Sequence, residues 1–423
     1  MYRHGFTWAL LFGVFTLMFL QIPPMVARQD SVLTTYQALV EVDALAKQKY
    51  VESIDDERLV EGAIRGMMLR LDPYSGYIPP KELPAFERRN HGEFSGVGVE
   101  IGLQGGRITV IAPIEGSSAA AAGVLAGDIL LSIDGNSLED RSVFDVEEML
   151  IGAPGSRVRM DVLRAGHESR MTLQVIREPV TLKSVRGFRR LTSGAWDYLI
   201  DRERRIGYVR VSCFRDNTMH DFNVALDELH SGGIAALILD LRFNPGGVMP
   251  QAIEMVDRFV DDGLLLSTVT RTRAVESYHA TPDTQADDVP LVVLINGSSA
   301  SAAEIVAGSL QARSRALIIG ERSFGKGSLQ HLIPLQSHKS AIKLTVAHYR
   351  LPDGRIIHRT ENNAHSDAWG ILPDVEVDLK DEDILAVQSA RQALDAGDPK
   401  VTEVPLDRQL EAALFAARRA CKF

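Results

Sequence analysis

Cysteine is scarce in this 423-residue sequence, which contains only Cys213 and Cys421. No Cys-x-x-Cys pair and no Cys/His spacing of the kind that binds metal occurs, so neither a metal nor a redox cofactor is expected. Cys213 stands in an apolar run and is predicted to be a buried strand residue, whereas Cys421 is expected in a flexible chain end. A disulfide between the two is disfavoured.

Clusters of positive charge are also missing. The sequence has 46 Lys and Arg against 56 Asp and Glu, with a net charge of -10, and no run of five or more basic residues. Nucleic acid is therefore not an expected partner. The composition, 45% apolar and 24% charged residues, is typical of a globular protein. The length is too great for one core and predicts about two to four structural units.

Long apolar runs are absent after the first 28 residues. Arg3 and His4 precede the apolar stretch 6–22, and a polar chain begins at Arg28, which is the pattern of a secretory signal at residues 1–28. The apolar run reaches the lower limit for spanning a bilayer, so an uncleaved inner-membrane anchor is the alternative. The sequence thus predicts a periplasmic or otherwise exported protein whose membrane contact, if any, is made by this segment.

Hydrophobic periodicity divides the rest of the chain into four parts. Residues 29–93 have near-helical spacing, with prolines at 79, 80 and 84 predicted to mark a linker; residues 94–178 consist of short strands with one helix. Residues 179–380 alternate buried strands with helices, which favours an α/β core with crossover helices. Residues 381–423 are charged and helical. No internal repeat or low-complexity tract occurs.

Two segments of the second part resemble a PDZ domain, a β-rich module inserted before the core in sequence. They are Phe94–Ile101 and Ser117–Gly135, the second including Ala122–Leu130. Closely spaced glycines allow backbone N–H groups to form a nest for a terminal carboxylate, and the following strand can pair with an extended peptide. The predicted peptide-binding residues are Gly96, Val97, Gly98, Val99, Val146 and Leu150.

The richest chemistry lies between residues 291 and 330. A strand and a run of small residues precede a predicted helix, which places Ser301 at a helix N-terminus, where a developing negative charge is favoured. A serine hydroxyl needs a base. No Gly-x-Ser-x-Gly elbow is present, and His331 has no marked acidic partner. Lys326, between two glycines, is the better candidate, because burial would lower its pKa and supply a neutral amine.

These segments resemble the C-terminal processing (tail-specific) serine proteases, whose spacing of serine, lysine and glutamine is matched by Ser301, Lys326 and Gln330. The resemblance implies an α/β protease core of the crotonase/ClpP-like type, with Gln330 orienting Lys326. It also implies an oxyanion hole formed by the amides of Gly246 or Gly247 and Ala302.

The match with that family has two departures. The chain has Ala303 where the family often has serine, and Tyr74 where it usually has histidine. Asp240, Arg242 and Glu304, close to the matching motifs, are interpreted as structural residues that hold loops together.

The predicted function is that of an exported serine endopeptidase which cleaves proteins at or near their C-terminal region. Its expected partners are protein C-termini, with an adaptor and a homo-oligomer as open possibilities. The alternatives are a catalytically idle PDZ scaffold, an adaptor-dependent protease and, less favoured, a crotonase-like acyl hydrolase. A phosphate-binding loop at Gly320–Lys326 is disfavoured, because Gly327 rather than Ser or Thr follows the lysine.

Overall fold

A computed structural model describes residues 36–421, with gaps at 92, 115, 126, 165–169, 192, 282–287, 337–338, 396–397 and 399. The predicted signal at residues 1–28 lies outside this range. Among the described residues, no helix combines the length and the apolar character needed to cross a bilayer. In the same part of the chain, no group of three or more His, Cys, Asp or Glu side chains is placed to hold a metal ion.

The N-terminal region contains α1 (36–49), α2 (Asp56–Leu69), β1 (Gly76–Ile78) and α3 (Leu83–His91). The next region contains β2 (Glu93–Gly96), β3 (Val99–Gln104), β4 (Arg107–Pro113), α4 (Ser118–Ala121), β5 (Ile129–Ile133), β6 (Asn136–Ser137), α5 (Val143–Leu150), β7 (Arg157–Leu163) and β8 (Met171–Ile176).

The third region begins with β9 (Glu178–Thr181), β10 (Val185–Arg186), β11 (Arg189–Arg190), β12 (Trp196–Asp197), β13 (Leu199–Asp201), β14 (Ile206–Val211), α6 (Thr218–Ser231), β15 (Ala236–Asp240) and α7 (Met249–Asp257). It continues with β16 (Leu264–Thr270), β17 (Val275–His279), β18 (Leu291–Ile295), α8 (Ala302–Ala312), β19 (Ala316–Gly320), β20 (Ser328–Leu335), β21 (Ser340–Arg350) and β22 (Val375–Glu376). The chain closes with α9 (Asp381–Asp395) and α10 (Arg408–Ala420).

The centre of the protein is a parallel sheet with the strand order β14, β15, β18, β19, as the alternating pattern predicts. Strands β15 and β18 are buried along their whole length, which explains their continuous apolar sequences. Helices α6, α7 and α8 share one hydrophobic cluster on one side of the sheet, and α10 belongs to the cluster on the other side. The core is therefore covered on both faces.

A second, antiparallel sheet with the order β1, β21, β16, β17 lies beside this core, and β20 pairs with β21. The periodicity did not predict this sheet. Strand β1 from the N-terminal region joins it by pairing with β21, with Gly76 opposite Lys343 and Ile78 opposite Ala341. The N-terminal region is thereby attached to the same sheet that carries the residues after Lys326.

The PDZ-like region forms its own six-stranded sheet with the path β3, β4, β5, β7, β8 and a separate apolar cluster, in which α5 packs through Val146 and Leu150. Its first strand, β2, pairs with β9, which leads into the core. The chain therefore enters and leaves this region through adjacent strands.

Three local predictions are corrected by the structure. Cys213 is half-buried and follows β14 instead of lying inside it, while Cys421 is buried against the core rather than in a flexible end. Both cysteines are free. Pro84 is the second residue of α3 and so does not mark a linker, since proline is well tolerated in the first turn of a helix.

The C-terminal helices hold the loop after β15 through a buried charge network. Arg242, which is fully buried, donates to the carboxylates of Asp240 at 2.8 Å and Asp407 at 2.8 Å. Arg391 of α9 donates to the Arg242 carbonyl at 3.2 Å and also pairs with Asp240. Asp407 is the N-cap of α10. The C-terminal region therefore fixes the start of the loop that leads to Gly246.

Candidate active site

Ser301 is the N-cap of α8, as predicted, and its backbone is strained. Its φ of 56° and ψ of -114° are unusual for a non-glycine residue. Such conformations cost on the order of 1–3 kcal/mol and persist where surrounding contacts hold them, often at functional sites. Only 5% of Ser301 is exposed. The geometry resembles the sharp strand-to-helix turn that presents a nucleophilic serine in α/β-hydrolases.

The loop before Ser301 is held against the loop after β15. The Ala300 amide donates to the Asn244 carbonyl at 2.9 Å, and the Ser299 hydroxyl donates to the Leu241 carbonyl at 2.8 Å. The Asn296 side chain accepts from the Phe243 amide at 2.9 Å. These contacts place the paired glycines directly beside the serine.

Gly246 and Gly247 have positive φ values of 98° and 141°. A Cβ on Gly246 would lie 2.7 Å from Ser301 Cβ, and one on Gly247 would lie 1.9 Å from the Phe214 carbonyl oxygen, so only glycine fits at either position. The Gly246 amide donates to Asn244 Oδ1 at 2.8 Å. Among the described residues, neither the Gly247 nor the Ala302 amide donates a hydrogen bond to an acceptor. These two amides are therefore the better oxyanion-hole candidates.

Glu304 joins the serine loop to the lysine segment. Its Oε2 accepts from the amides of Ser301 and Lys326, each at 2.8 Å, and its Oε1 accepts from the Gly325 amide at 2.6 Å and the Ser323 hydroxyl at 2.5 Å. Burial raises the pKa of this carboxyl, and the four hydrogen bonds oppose the rise. One buried carboxylate therefore fixes the backbones of both predicted catalytic residues.

The Lys326 side chain is half-buried, and burial lowers its pKa, with the nearby Lys343 ammonium adding to the decrease and Glu304 opposing it. Its Nζ lies 5.3 Å from the ring centroid of Tyr74. A lowered pKa increases the fraction of neutral amine near pH 7, which is the form able to accept a proton. The environment thus suits a general base.

Gln330 lies on β20, four residues after Lys326, and its amide Nε2 donates to Ser328 Oγ at 2.9 Å and to Thr345 Oγ1 at 3.2 Å. Both contacts belong to the β20–β21 hairpin, in which Gln330 is opposite Thr345. The orientation of Lys326 by Gln330 remains a prediction.

Two residues at this site were not singled out as functional from the sequence. Tyr349 shares a side-chain hydrogen bond with Ser301, and burial raises its pKa to about 12, so its hydroxyl is neutral at ordinary pH. Glu304 was interpreted as structural, although Ser301-Ala302-Ala303-Glu304 has the Ser-x-x-Glu capping-box pattern that could have linked it to the serine. No comparable local signal identifies Tyr349.

A cavity of about 580 Å³ lies between the PDZ-like region and the core. Of the predicted peptide-binding residues, Val97, Gly98, Val99 and Leu150 line it, whereas Val146 is fully buried in the PDZ cluster and Gly96 is not in the lining. The core side contributes basic and small residues, among them Arg186, Arg190, Arg215 and Pro245. Because Pro245 immediately precedes Gly246, the cavity reaches the loop beside Ser301.

Known families match most of the chain. The model for peptidase family S41 matches residues 205–377, and the model for the PDZ domain matches residues 109–164. A third, described as the activating protease CtpB N-terminal domain, matches residues 23–81.

Individual relatives agree with these matches. The carboxy-terminal-processing protease of Bartonella bacilliformis is 36% identical over 337 residues, covering 78% of this chain and 72% of that protein. The carboxy-terminal processing protease CtpA of Bacillus subtilis is 31% identical over 367 residues, covering 86% of this chain and 74% of that protein. The solved structure of the photosystem II D1 C-terminal processing protease is 31% identical, covers 82% of this chain and 92% of its own, and has a TM-score of 0.47. This chain therefore belongs to peptidase family S41, and it is a serine peptidase of the carboxy-terminal processing protease type with a PDZ domain.

Proposed function

We propose that the chain is an exported endopeptidase that cleaves proteins at or near their C-terminal region, with Ser301 as nucleophile, Lys326 as general base and Gln330 as the orienting residue. The observation that carries the catalytic proposal is the Glu304 carboxylate, because its Oε2 binds the amides of both Ser301 and Lys326. The lowered pKa of Lys326 supports the same roles. Export is proposed from the N-terminal sequence pattern alone.

The proposed reaction has two steps. The neutral Lys326 amine accepts the Ser301 hydroxyl proton as Oγ bonds to the substrate carbonyl carbon, and the amides of Gly247 and Ala302 bind the resulting oxyanion. The C–N bond then breaks, and the Lys326 ammonium gives its proton to the leaving amine, which forms an acyl-enzyme on Ser301. Lys326 next takes a proton from a water molecule as the water oxygen bonds to the acyl carbon, and it returns this proton to Ser301 Oγ as the ester C–O bond breaks and the carboxylic acid leaves. Each oxyanion-hole donor supplies about 3 kcal/mol of transition-state stabilisation.

The PDZ domain is proposed to capture the C-terminal tail of the substrate. The cavity supports this role, because Gly98 and Val99 line one side and Pro245, next to Gly246, lines the other. Arg215 adds positive charge on the core side, which suits a terminal carboxylate, whereas Arg186 is already paired with Asp395 of the same cavity. A tail held there would lead the preceding chain towards Ser301.

The catalytic assignment is tested by degradation of an unfolded protein with wild type, Ser301→Ala and Lys326→Ala. Both variants should lose at least about 1000-fold in kcat, since nucleophile and base act as a unit. Ser298→Ala, at an exposed neighbouring serine, and Lys380→Ala, at an exposed lysine, are matched controls that should retain activity. Cleavage by Ser301→Ala at the wild-type rate would exclude the proposal. If wild type cuts only after addition of a partner protein, the adaptor-dependent form of the proposal is favoured.

The role of the PDZ domain is tested with one substrate bearing either a free or an amidated C-terminus. The free acid should be cleaved with a KM at least about tenfold lower, because the amidated tail cannot make charge-assisted hydrogen bonds. Val99→Asp, which adds a carboxylate to the cavity, should abolish this preference. Leu103→Asp on the same strand is the control, because its side chain is exposed and outside the cavity lining. Equal cleavage of the two substrates would exclude tail capture.

A further inference from the structure

The segment between α2 and β1 forms a tight turn next to the active site. Asp72 Oδ1 accepts from the amides of Tyr74 and Ser75, both at 2.8 Å, and Asp72 Oδ2 accepts from the Ser75 hydroxyl at 2.8 Å. Three hydrogen bonds to one carboxylate fix the backbone on which Tyr74 stands. The turn lowers the pKa of Asp72, so the carboxylate stays ionised and able to accept these bonds.

This turn is attached to strand β21 of the antiparallel sheet through Thr345. Thr345 Oγ1 donates to Asp72 Oδ1 at 3.2 Å, and the Thr345 amide donates to Ser75 Oγ at 3.1 Å. The same Thr345 hydroxyl accepts from Gln330 Nε2 at 3.2 Å. A continuous chain of hydrogen bonds thus runs from the N-terminal region to the predicted orienting residue of the catalytic site.

The Tyr74 ring lies over the end of the Lys326 side chain. The Lys326 Nζ is 5.3 Å from the ring centroid, and the ring meets His358 edge-on at 6.0 Å between centroids. His358 packs in turn against His348 at 4.7 Å. An aromatic ring at this distance excludes water from one side of the amine and restricts its position.

We infer that Tyr74 is a positioning residue for the Lys326 amine, and that the Asp72–Ser75 turn couples the N-terminal helices to the catalytic pair. The inference rests on the proposed role of Lys326 as base. The Tyr74 ring, and not its hydroxyl, contacts the amine, so phenylalanine can replace tyrosine in this role.

The charged groups around the amine come from several elements. Glu304 on α8 and Lys343 on β21 act on Lys326, and Lys326 in turn lowers the pKa of His358. Glu304, Asp72 and Arg359 act on the Tyr74 hydroxyl. Burial is the largest influence on the pKa of Lys326. Removal of the ring admits water and also removes its attraction for the ammonium. Because burial is the larger influence, the pKa of Lys326 should rise towards its ordinary value.

The test compares kcat, KM and pH profiles of wild type, Tyr74→Phe and Tyr74→Ala on a peptide substrate. Tyr74→Ala should lower kcat about tenfold at neutral pH with KM within about twofold, and should move the rise of kcat/KM to higher pH. Tyr74→Phe should retain the wild-type profile. Tyr50→Ala, a 60% exposed tyrosine of the N-terminal region, is the control and should change nothing.

Two further variants keep the result interpretable. Asp72→Asn loosens the turn without removing the ring and should lower kcat in the same direction with little effect on KM. Lys326→Ala separates the proposed role of Lys326 from that of Tyr74: if this variant remains active, Lys326 is not the base. If Lys326→Ala is inactive while Tyr74→Ala and Asp72→Asn keep the wild-type kcat and pH profile, the inference on Tyr74 alone is overturned.

Discussion

Replacement of Glu304 by glutamine tests how the two halves of the active site are held together. The change substitutes an NH₂ group for one carboxylate oxygen. At Oε2 this donor would face the amides of Ser301 and Lys326, and at Oε1 it would face the Gly325 amide beside a Ser323 hydroxyl that can turn to accept. One charge-assisted hydrogen bond of about 1.5–3 kcal/mol is lost where the NH₂ group stands at Oε1, and two are lost where it stands at Oε2. Removal of the buried charge returns part of that loss. The net decrease in unfolding free energy should be about 2–4 kcal/mol.

The effect on activity should exceed the effect on folding. Ser301 and Lys326 share Oε2, and a displacement of about 1 Å in one of them can cost about 100-fold in rate. We expect kcat to fall about 100-fold with KM changed by less than about threefold, measured below the unfolding transition. Denaturant unfolding should be followed in a Ser301→Ala background, which prevents self-cleavage.

Glu321→Gln is the matched control. Glu321 follows the strand next to β18, and its Oε1 accepts from the Leu379 amide at 2.9 Å and from Gln409 Nε2 at 3.2 Å, without contact to Ser301. It should lose stability without a selective loss of kcat. If Glu304→Gln keeps both the wild-type kcat and the wild-type stability, the carboxylate does not fix the site.

Three more outcomes follow from the buried charges. Lys326→Met should stabilise the fold near pH 7: the pKa of Lys326 is lower in the folded state, so wild type gains stability as pH rises through that pKa. The difference in unfolding free energy between Lys326→Met and wild type, measured by urea unfolding, should therefore shrink as pH rises and disappear near pH 10.5. A difference that stays constant with pH would contradict this. Lys343→Ala removes a positive charge near Lys326 and should move the rise of kcat/KM to higher pH; an unchanged pH profile would be the opposing result. Asp407→Ala leaves Arg242 buried and partly unpaired, and should cost about 3–5 kcal/mol in denaturant unfolding. Glu382→Ala, which removes an exposed ion pair with Lys380, should cost less than about 1 kcal/mol.

The parts of the site that are local in sequence could be predicted. A buried strand, small residues and a helix place Ser301 at the N-terminus of α8, and the Gly246–Gly247 pair lies in the loop that follows β15. Both features depend on short-range rules for strand ends, helix caps and turns. The continuous apolar sequences of the core strands likewise predict that these strands are buried in a parallel sheet.

The remaining contacts join segments that are far apart in the chain. Ser75 and Thr345 are separated by 270 residues, and the pairing of β1 with β21 has no signal in the periodicity of either strand. Tyr74 and Tyr349 reach the site only through such pairings. The prediction of a flexible end at Cys421 was wrong because this cysteine is buried by the packing of α10 on the central sheet. The helical pattern of the C-terminus does not specify which surface α10 covers.

The most direct measurement of the central claim is detection of the acyl-enzyme. Wild type is mixed with a peptide substrate, quenched in acid before the steady state and digested for mass spectrometry. The account predicts that the acyl group is found on the peptide containing Ser301, that it is absent from Ser301→Ala, and that it forms at least about 100-fold more slowly in Lys326→Ala. An acyl group on another residue, or peptide cleavage by Ser301→Ala at the wild-type rate, would contradict it.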